Sequence, residues 1–286
     1  MFDFDASIRN NAAGKTLICA HRGVSGGNIP CNTMAAFAAA LAQGADMIEL
    51  DVTKSRDGEY FVFHPGKESA HLRTRRLIGV SDAKTVRKFR YVNQDDDKTQ
   101  FGVDRLDEVF DFLRGKCYIN VDKFWTDVPG ISSVIRRAGV ERQVVVKTSL
   151  RSEHLRAVKE CAPDFMFMPI VRDRDEITDE LRRQGVNCIG AEILFEKDSA
   201  PVASDEYIAD MHKKGMLLFV NAIVYNYKEV LAGGHNDDIS AAGDPDGGWG
   251  WLIDKKFDII QTDWCGMLQS YMERRGAASG RPGSGT

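Results

Sequence analysis

No apolar run in this chain approaches the roughly 20 residues that a membrane-spanning helix needs. Basic residues are not in surplus either, since 38 lysines and arginines face 42 acidic residues and the net charge is −4, whereas a nucleic-acid-binding domain is usually basic. The N-terminal stretch MFDFDASIRNN lacks the basic and apolar regions of a signal peptide. We therefore expect a cytoplasmic protein with no membrane span and no nucleic-acid partner. A leader removed from the chain, and contact with a lipid surface, both stay open.

The six cysteines contain no CxxC pair and are widely spaced, at positions 19, 31, 117, 161, 188 and 265. Several lie within apolar runs, where a free cysteine behaves as a small buried hydrophobic residue. Reduced cysteines are therefore predicted rather than a disulfide framework.

Eight short apolar runs recur along the chain, and from the third onward they alternate with segments rich in helix-forming residues. These runs are TLICA (16–20), ADMIELDV (45–52), CYINVD (117–122), QVVVK (143–147), DFMFMPI (164–170), NCIGAEI (187–193), MLLFVN (216–221) and FDIIQTD (257–263). Continuously apolar strands that alternate with helices are typical of a parallel sheet covered by helices. Eight such units in 286 residues favour an α/β fold of the closed (β/α)8 TIM-barrel type over an open, doubly wound sheet.

The segment 65–104 interrupts this alternation with a basic stretch and then an acidic run. We predict one domain over residues 1–275 with a small insertion after the second barrel strand, following an extra antiparallel strand in EYFVFH. The insertion is either a solvated excursion with one helix, over about 81–90, or a lid whose positive charge attracts phosphate-bearing substrates. Residues 276–286 contain too few apolar side chains to pack, so a disordered tail is predicted there.

Three apolar runs in the first quarter of the chain end in side chains of catalytic type. LICA is followed by His21 and Arg22, MIELDV contains Glu49 and Asp51, and YFVF is followed by His64. Residues two apart on a strand share a face, so Glu49 and Asp51 are expected to lie side by side. Two carboxylates this close repel each other unless a positive charge lies between them, and a divalent cation with oxygen ligands is the expected one. A metal flanked by two histidines suits an anionic substrate that requires proton transfer.

Polar side chains also occupy the carboxyl ends of most predicted barrel strands. They are His21, Glu49, Asp51, Asp122, Lys147, Glu192, Asn221 and Asp263. Barrel enzymes assemble their active sites on this face. We therefore expect these side chains to meet in one cleft.

Several short motifs follow one another in a fixed order: HRG at 21–23, PCNT at 30–33, GADMIELDV at 44–52 and FH at 63–64. Together with weaker similarities further along, such as IIQTD at 259–263, they resemble the glycerophosphodiester phosphodiesterase family. That resemblance implies a barrel hydrolase that cleaves glycerophosphodiesters to sn-glycerol 3-phosphate and an alcohol. It also implies that the substrate is a small-molecule phosphodiester, and it leaves the oligomeric state open.

The resemblance further implies roles for individual residues. The implied ligands of one divalent cation, Mg²⁺ or Ca²⁺, are Glu49, Asp51 and Asp122. His21 and His64 would act as general acid and base. Arg22 would hold the phosphate through charge-assisted hydrogen bonds.

Three residues depart from the family pattern near these positions. Cys31 stands where the family motif has a glutamate, and Pro65 replaces the aspartate that follows the second histidine. Asp122 replaces a longer glutamate, so it needs a shift of roughly an ångström or a bridging water to reach a metal, because metal–oxygen distances are tight. These departures put the identity of the substrate in doubt but keep the acids and the two histidines.

The family lysine two residues beyond the third acid is also missing, because position 124 is phenylalanine. Strand alternation predicts that Lys123 faces away from the site. We therefore predict that Lys147 supplies the missing cation to the substrate. Three further substrate contacts are predicted at Glu192, Asn221 and Trp249.

Two other functions remain open at this stage. A phospholipase of the same barrel superfamily, of the lysophospholipase D or sphingomyelinase D type, would place apolar side chains around the site. A barrel that binds phosphate esters without cleaving them is favoured by the departures at Cys31 and Pro65.

Overall fold

Eight of the nine strands form a closed parallel barrel in the computed structural model, which describes residues 8–226 and 228–279. The strands are β1 (Leu17–Ala20), β2 (Met47–Lys54), β3 (Tyr60–Val62), β4 (Tyr118–Asp122), β5 (Val144–Thr148), β6 (Met166–Arg172), β7 (Gly190–Leu194), β8 (Leu217–Asn221) and β9 (Ile259–Thr262). Their order is β1-β9-β8-β7-β6-β5-β4-β2, and β2 pairs again with β1. The predicted (β/α)8 barrel is therefore confirmed.

The strands alternate their side chains between two apolar layers. Leu17, Cys19 and Met47 point into the barrel, where they pack with the inward side chains of the other strands. Ile18 and Ile48 point outward into the larger layer between the barrel and the helices. Because both faces of every strand are covered, the strands are apolar along their whole length, which explains their continuous hydrophobic runs.

Helices connect successive strands and cover the outer face. They are α1 (Ile8–Ala12), α2 (Met34–Ala42), α3 (Glu68–His71), α4 (Ala83–Val86), α5 (Leu106–Leu113), α6 (Val128–Ala138), α7 (Ser152–Cys161), α8 (Thr178–Arg183), α9 (Asp205–Lys213), α10 (Asp237–Ala241), α11 (Trp251–Asp254) and α12 (Cys265–Ser279). Thr33 caps α2 by accepting a hydrogen bond from the Ala36 N–H, which satisfies one of the free donors at the helix start. Gly139 ends α6 in the left-handed conformation, at φ 65°.

The insertion after β2 contains little regular structure and has an apolar cluster of its own. β3 pairs antiparallel with β2, with Val52 opposite Val62, as predicted. The helix expected over about 81–90 is shorter, because α4 covers only Ala83–Val86. The small cluster consists of Phe61, Phe63, Leu72, Ile78, Val86, Tyr91 and Val103. The insertion is therefore held in place by packing of its own as well as by the β2–β3 pairing.

The last helix extends beyond residue 275, where composition placed the end of the domain. α12 continues to Ser279, so residues 276–279 of the predicted disordered tail are helical. The rest of that tail, 280–286, lies outside the described residues. None of the helices in the described part of the chain has the length and apolarity to cross a bilayer.

Candidate active site

Three carboxylates from two neighbouring strands meet at the carboxyl end of the barrel. Strand register places Asp51 of β2 opposite Asp122 of β4, and Glu49 lies one step deeper on the same face of β2. One oxygen from each of the three side chains lies within 4.8 Å of the others. The acids that the sequence assigned to a metal are thus adjacent in space.

Asp51 has one oxygen that accepts a hydrogen bond and pairs with an arginine, and one oxygen without a donor among the described residues. Its side chain is fully buried. Oδ2 accepts from Asn32 Nδ2 at 2.9 Å and lies 2.9 Å from Arg22 Nε. Oδ1 has no hydrogen-bond partner among the described residues. A buried carboxylate oxygen without a donor is rare in proteins, and together with the two neighbouring acids it fits the all-oxygen coordination that Mg²⁺ and Ca²⁺ prefer.

The cluster carries a charge imbalance that a cation would relieve. Burial, and then the charge of Asp51, raise the pKa of Glu49 to about 7. Although burial opposes its ionisation, Asp122 has its pKa lowered to about 2, since Lys147 and Lys123 lie beside it. The two lysines therefore balance the negative charge of Asp122, whereas the raised pKa of Glu49 shows that its charge is not balanced to the same extent.

Lys123 points into the site, and the prediction that it faces away is wrong. Its backbone has φ 59°, in the left-handed region, at the point where β4 ends. This turn breaks the strand alternation and brings the side chain inward. Nζ lies 2.7 Å from Asp122 Oδ2 and 3.6 Å from Asp51 Oδ1. The sequence signal that could have indicated this is the end of the apolar run at Asp122, after which alternation no longer applies.

Lys147, Glu192 and Asn221, from β5, β7 and β8, form a buried chain across the barrel mouth that begins beside Asp122. Lys147 Nζ lies 2.9 Å from Glu192 Oε2, and Asn221 Nδ2 donates to Glu192 Oε1 at 2.8 Å. Burial opposes the charge on Lys147, but Glu192 and Asp122 raise its pKa above the usual value. The three residues are brought together as predicted by their strand-end positions, and Lys147 is held by Glu192.

His21 is oriented by an aspartate from the last barrel strand. Its Nδ1 lies 2.8 Å from Asp263 Oδ1, although the two residues are 242 positions apart in the sequence. Burial disfavours the charged imidazole, but the hydrogen bond to Asp263 and the charge of Glu49 raise the pKa of His21. Asp263 was expected in the cleft, but sequence reasoning did not identify it as the partner of His21.

His64 has the opposite electrostatic environment. Its Nδ1 lies 2.9 Å from the carbonyl oxygen of Pro65, so a backbone group orients the imidazole where the family has a carboxylate. Nε2 lies 3.9 Å from Asp51 Oδ1 and 3.3 Å from the hydroxyl of Tyr225, a contact that the sequence gave no reason to expect. Burial lowers the pKa of His64, and the charges of Lys123 and Arg22 lower it further, against the effect of Asp51.

The HRG turn places Arg22 against the acids. The Arg22 backbone N–H donates to Glu49 Oε2 at 3.0 Å, and its side chain contacts Asp51. A Cβ on Gly23 would lie 2.7 Å from the backbone of Ala36, so only glycine allows α2 to pack this closely against the turn.

Known proteins with related sequences and folds were compared with this chain. A glycerophosphodiester phosphodiesterase of Caldanaerobacter subterraneus subsp. tengcongensis is 33% identical over 163 residues, which are 52% of this chain and 64% of that protein. The chain thus spans less than two thirds of the length of the curated relatives it matches. Residues 167–272 match a family model described as a domain of unknown function, DUF4996.

The fold comparison agrees over nearly the whole chain. A glycerophosphoryl diester phosphodiesterase from Parabacteroides distasonis superposes with a TM-score of 0.74 at 20% identity, covering 91% of this chain and 87% of that one. A phosphodiesterase of Oleispira antarctica, solved with the product sn-glycerol-3-phosphate, gives a TM-score of 0.62 at 20% identity over 90% and 96% of the two chains. The chain resembles the glycerophosphodiester phosphodiesterases in sequence and in fold. The resemblance that the HRG, PCNT and GADMIELDV motifs indicated is therefore confirmed.

The position of Trp249 differs from the expected one. Trp249 was expected to line the substrate site, but its side chain is only 1% exposed. Its indole N–H donates to Asp237 Oδ1 at 2.7 Å beneath the barrel rim. The π-helical turn at Asp246–Gly250 carries the ring inward. A tryptophan that does reach the cleft is Trp264, which is 47% exposed beside Asp263.

Proposed function

We propose that this chain is a phosphodiester hydrolase that cleaves glycerophosphodiesters to sn-glycerol 3-phosphate and an alcohol. The observation that carries the proposal is the cluster of Glu49, Asp51 and Asp122, with the donor-free oxygen of Asp51 inside it. The similarity in sequence and fold to glycerophosphodiester phosphodiesterases supports the same reaction class.

These three acids would hold one divalent cation, Mg²⁺ or Ca²⁺, and a cation there supplies positive charge to the phosphate of a bound substrate. Arg22 and Lys123 border the same cluster and add fixed positive charge toward that phosphate. Lys147 is paired with Glu192, so its proposed contribution is an electrostatic field at the phosphate. Glu192 and Asn221 keep that lysine in place, and their proposed contact with substrate is through the buried Asn221 Oδ1, which has no hydrogen-bond partner among the described residues.

The two histidines divide the proton transfers. His64, whose pKa is lowered, is neutral and accepts at Nε2 a proton of the attacking water as the water oxygen bonds to phosphorus. His21, whose pKa is raised, carries the proton that Nε2 donates to the departing oxygen as the phosphorus–oxygen bond breaks. One proton is taken and one is given, so the pair returns to its starting state after the protons re-equilibrate with water.

The test offers glycerophosphocholine and lysophosphatidylcholine to the protein with Mg²⁺ or Ca²⁺, and again with a chelator. Release of glycerol 3-phosphate that the chelator abolishes supports the proposal. Cleavage of the lipid alone would instead select the phospholipase function. Binding of both compounds without turnover would select the non-catalytic barrel and overturn the proposal.

A further inference from the structure

A cavity of about 640 Å³ lies beside His21 and Asp263, between the loops that follow β1 and β9. We call it the His21 cavity. The loop after β1 contributes Val24 and Cys31, and the start of α12 contributes Trp264 and Met267. The three carboxylates line other parts of the barrel mouth and not this cavity. Its volume is several times that of a glycerol or choline group, so it is larger than a minimal glycerophosphodiester requires.

The wall formed by α12 is apolar and open to solvent. Trp264 is 47% exposed and Met267 is 42% exposed. The Met267 N–H donates to the Trp264 carbonyl, so the two side chains start from the same first turn of the helix. Large apolar side chains exposed together in a concave site are typical of a ligand-contacting surface.

The opposite wall has lost a charge relative to the family pattern. Cys31, in PCNT at 30–33, stands where the family motif has a glutamate. Burial raises the pKa of the Cys31 thiol to about 11. The thiol is therefore neutral and behaves as a small apolar group. The remaining polar side chains between the two walls include the uncharged Gln43 and Gln94. Cys31 therefore adds no charge to the cavity, whose charged side chains, Arg22 and Asp263, lie next to His21.

We propose that the His21 cavity is a subsite for an apolar substituent on the alcohol that leaves the phosphodiester. This inference rests on the proposed hydrolase function, in which His21 faces the departing oxygen. A group attached to that oxygen extends from His21 into the space between Cys31 and Trp264. The substrate class is then a glycerophosphodiester whose alcohol bears an alkyl chain, rather than one with a small polar alcohol.

The experiment compares glycerol 3-phosphate diesters of hexanol, glycerol and choline with the metal-supplemented full chain. Glycerol is the more acidic alcohol and the better leaving group, so a preference for the hexyl diester, and any change in the hexyl-to-glycerol ratio of kcat/KM between variants, reports on contacts to the substituent. We expect the hexyl diester to be preferred, and Trp264→Ala to lower its kcat/KM about tenfold, as the loss of several buried methylene contacts implies. The same substitution should change kcat/KM for the glycerol diester by less than about twofold.

Cys31→Glu is an independent test of the uncharged side chain at position 31. Restoring the carboxylate of the family motif should lower the ratio of hexyl to glycerol kcat/KM, because a charge next to the alkyl chain must lose water when the chain binds. Leu77→Ala is the matched control, since Leu77 is an equally exposed apolar residue, at 48%, that does not line this cavity. It should leave the ratio unchanged.

The possible outcomes distinguish failure of the subsite proposal from failure of the proposed hydrolase function. If all three diesters are turned over and Trp264→Ala leaves each rate unchanged, the subsite proposal is overturned and the hydrolase proposal stands. A loss confined to the choline diester would show that the cavity takes a quaternary ammonium group and would also overturn the proposal. Absence of turnover with every diester, at full metal occupancy, would remove the proposed function itself.

Discussion

At the scale of single residues, the two histidines differ in the groups that orient them. His21 is held by a carboxylate and His64 by a backbone carbonyl. An imidazole next to a carboxylate is stabilised in its charged form, whereas a buried imidazole near cations is stabilised in its neutral form. Because Nδ1 of His64 contacts the neutral carbonyl oxygen of Pro65 and Nδ1 of His21 contacts a carboxylate, the two imidazoles differ in which protonation state is stabilised.

Removing either histidine should stop efficient proton transfer. We expect His21→Ala and His64→Ala each to lower kcat by at least about 10²-fold, the usual contribution of a general acid or base. Steady-state kinetics on glycerophosphocholine measures the effect, and an unchanged thermal midpoint shows that the fold is intact. A variant that retains the wild-type rate would exclude that histidine from proton transfer.

The Asp263–His21 pair predicts a change in the pH profile. Asp263→Asn removes the charge that raises the pKa of His21, so the imidazole loses its proton at lower pH. Because the proposed acid must be protonated, the alkaline limb of the kcat profile should move toward lower pH. The control is Asp258→Asn, which removes the carboxylate paired with His212 away from the site. That variant should leave the alkaline limb where it is.

Sequence reasoning located most of the charged groups of this site but not their pairings. Strand alternation predicted that Glu49 and Asp51 share a face, and the resemblance to the phosphodiesterase family added Asp122 to them. Lys123 could not be predicted, because its orientation depends on a left-handed residue after the strand ends. The burial of Trp249 could not either, since its partner Asp237 begins α10 in a stretch whose composition indicates only turns.

At the scale of secondary structure elements, β7 and β8 approach each other more closely than an alanine would allow. A Cβ on Gly190 would lie 1.9 Å from the carbonyl oxygen of Leu217, its partner on β8. The same two strands carry Glu192 and Asn221 to the site, so the glycine contributes to their contact.

Gly190→Ala should therefore force β7 and β8 apart. We expect the free energy of unfolding to fall by about 1–3 kcal/mol, as for other overpacked interiors. Gly79→Ala is the control, because its added Cβ would meet only the Lys54 carbonyl oxygen at 3.8 Å. Urea unfolding of the two variants measures the difference, and equal midpoints would contradict the proposed crowding.

Asp237 links the loop after β8 to the end of β9. Its carboxylate accepts hydrogen bonds from Trp249 Nε1, Thr262 Oγ1 and the Asp263 N–H, each at 2.7 Å. Despite these donors, burial raises the pKa of Asp237 to about 6. The folded state therefore binds this proton more tightly than the unfolded state does, and the contribution of Asp237 to stability falls as the pH rises from about 4 to about 6.

Asp237→Asn removes this pH dependence. The stability difference between variant and wild type should shift in favour of the variant by up to about 3 kcal/mol between pH 4 and pH 7, which corresponds to two pKa units. Chemical unfolding of both proteins at both pH values measures this difference. The cost of the altered hydrogen bonds does not depend on pH and therefore cancels. A difference that is equal at the two pH values would show that Asp237 titrates normally.

The strands themselves could be predicted because each is a short apolar run that ends in a polar residue. Their boundaries agree within a few residues, as for QVVVK and the observed Val144–Thr148. The insertion was harder to predict, since its structure depends on a cluster of residues from Phe61 to Val103 that are distant in sequence. The one helix expected there is reduced to a single turn.

At the scale of the whole molecule, the proposed metal site should couple to stability. A ligand that binds only the folded state adds about 2.7 kcal/mol at a concentration one hundred times its Kd. We expect Mg²⁺ or Ca²⁺ to raise the thermal midpoint by several degrees and a chelator to reverse the rise. Asp51→Asn should abolish this increase, whereas Asp205→Asn, at a carboxylate 83% exposed on α9, should preserve it. A rise that persists in Asp51→Asn would place the cation elsewhere.

The closure of the barrel has a consequence for how the protein is made. β1 hydrogen-bonds to β2, which follows it closely in the sequence, but also to β9, which is distant in the sequence. His21 and Asp263 are 242 positions apart, lie on the two sides of this seam and cannot meet until β9 has left the ribosome. Until then a nascent chain carries an open sheet edge at β1, and such edges recruit other strands. The contact that orients the His21 imidazole therefore forms only when the ring of strands closes.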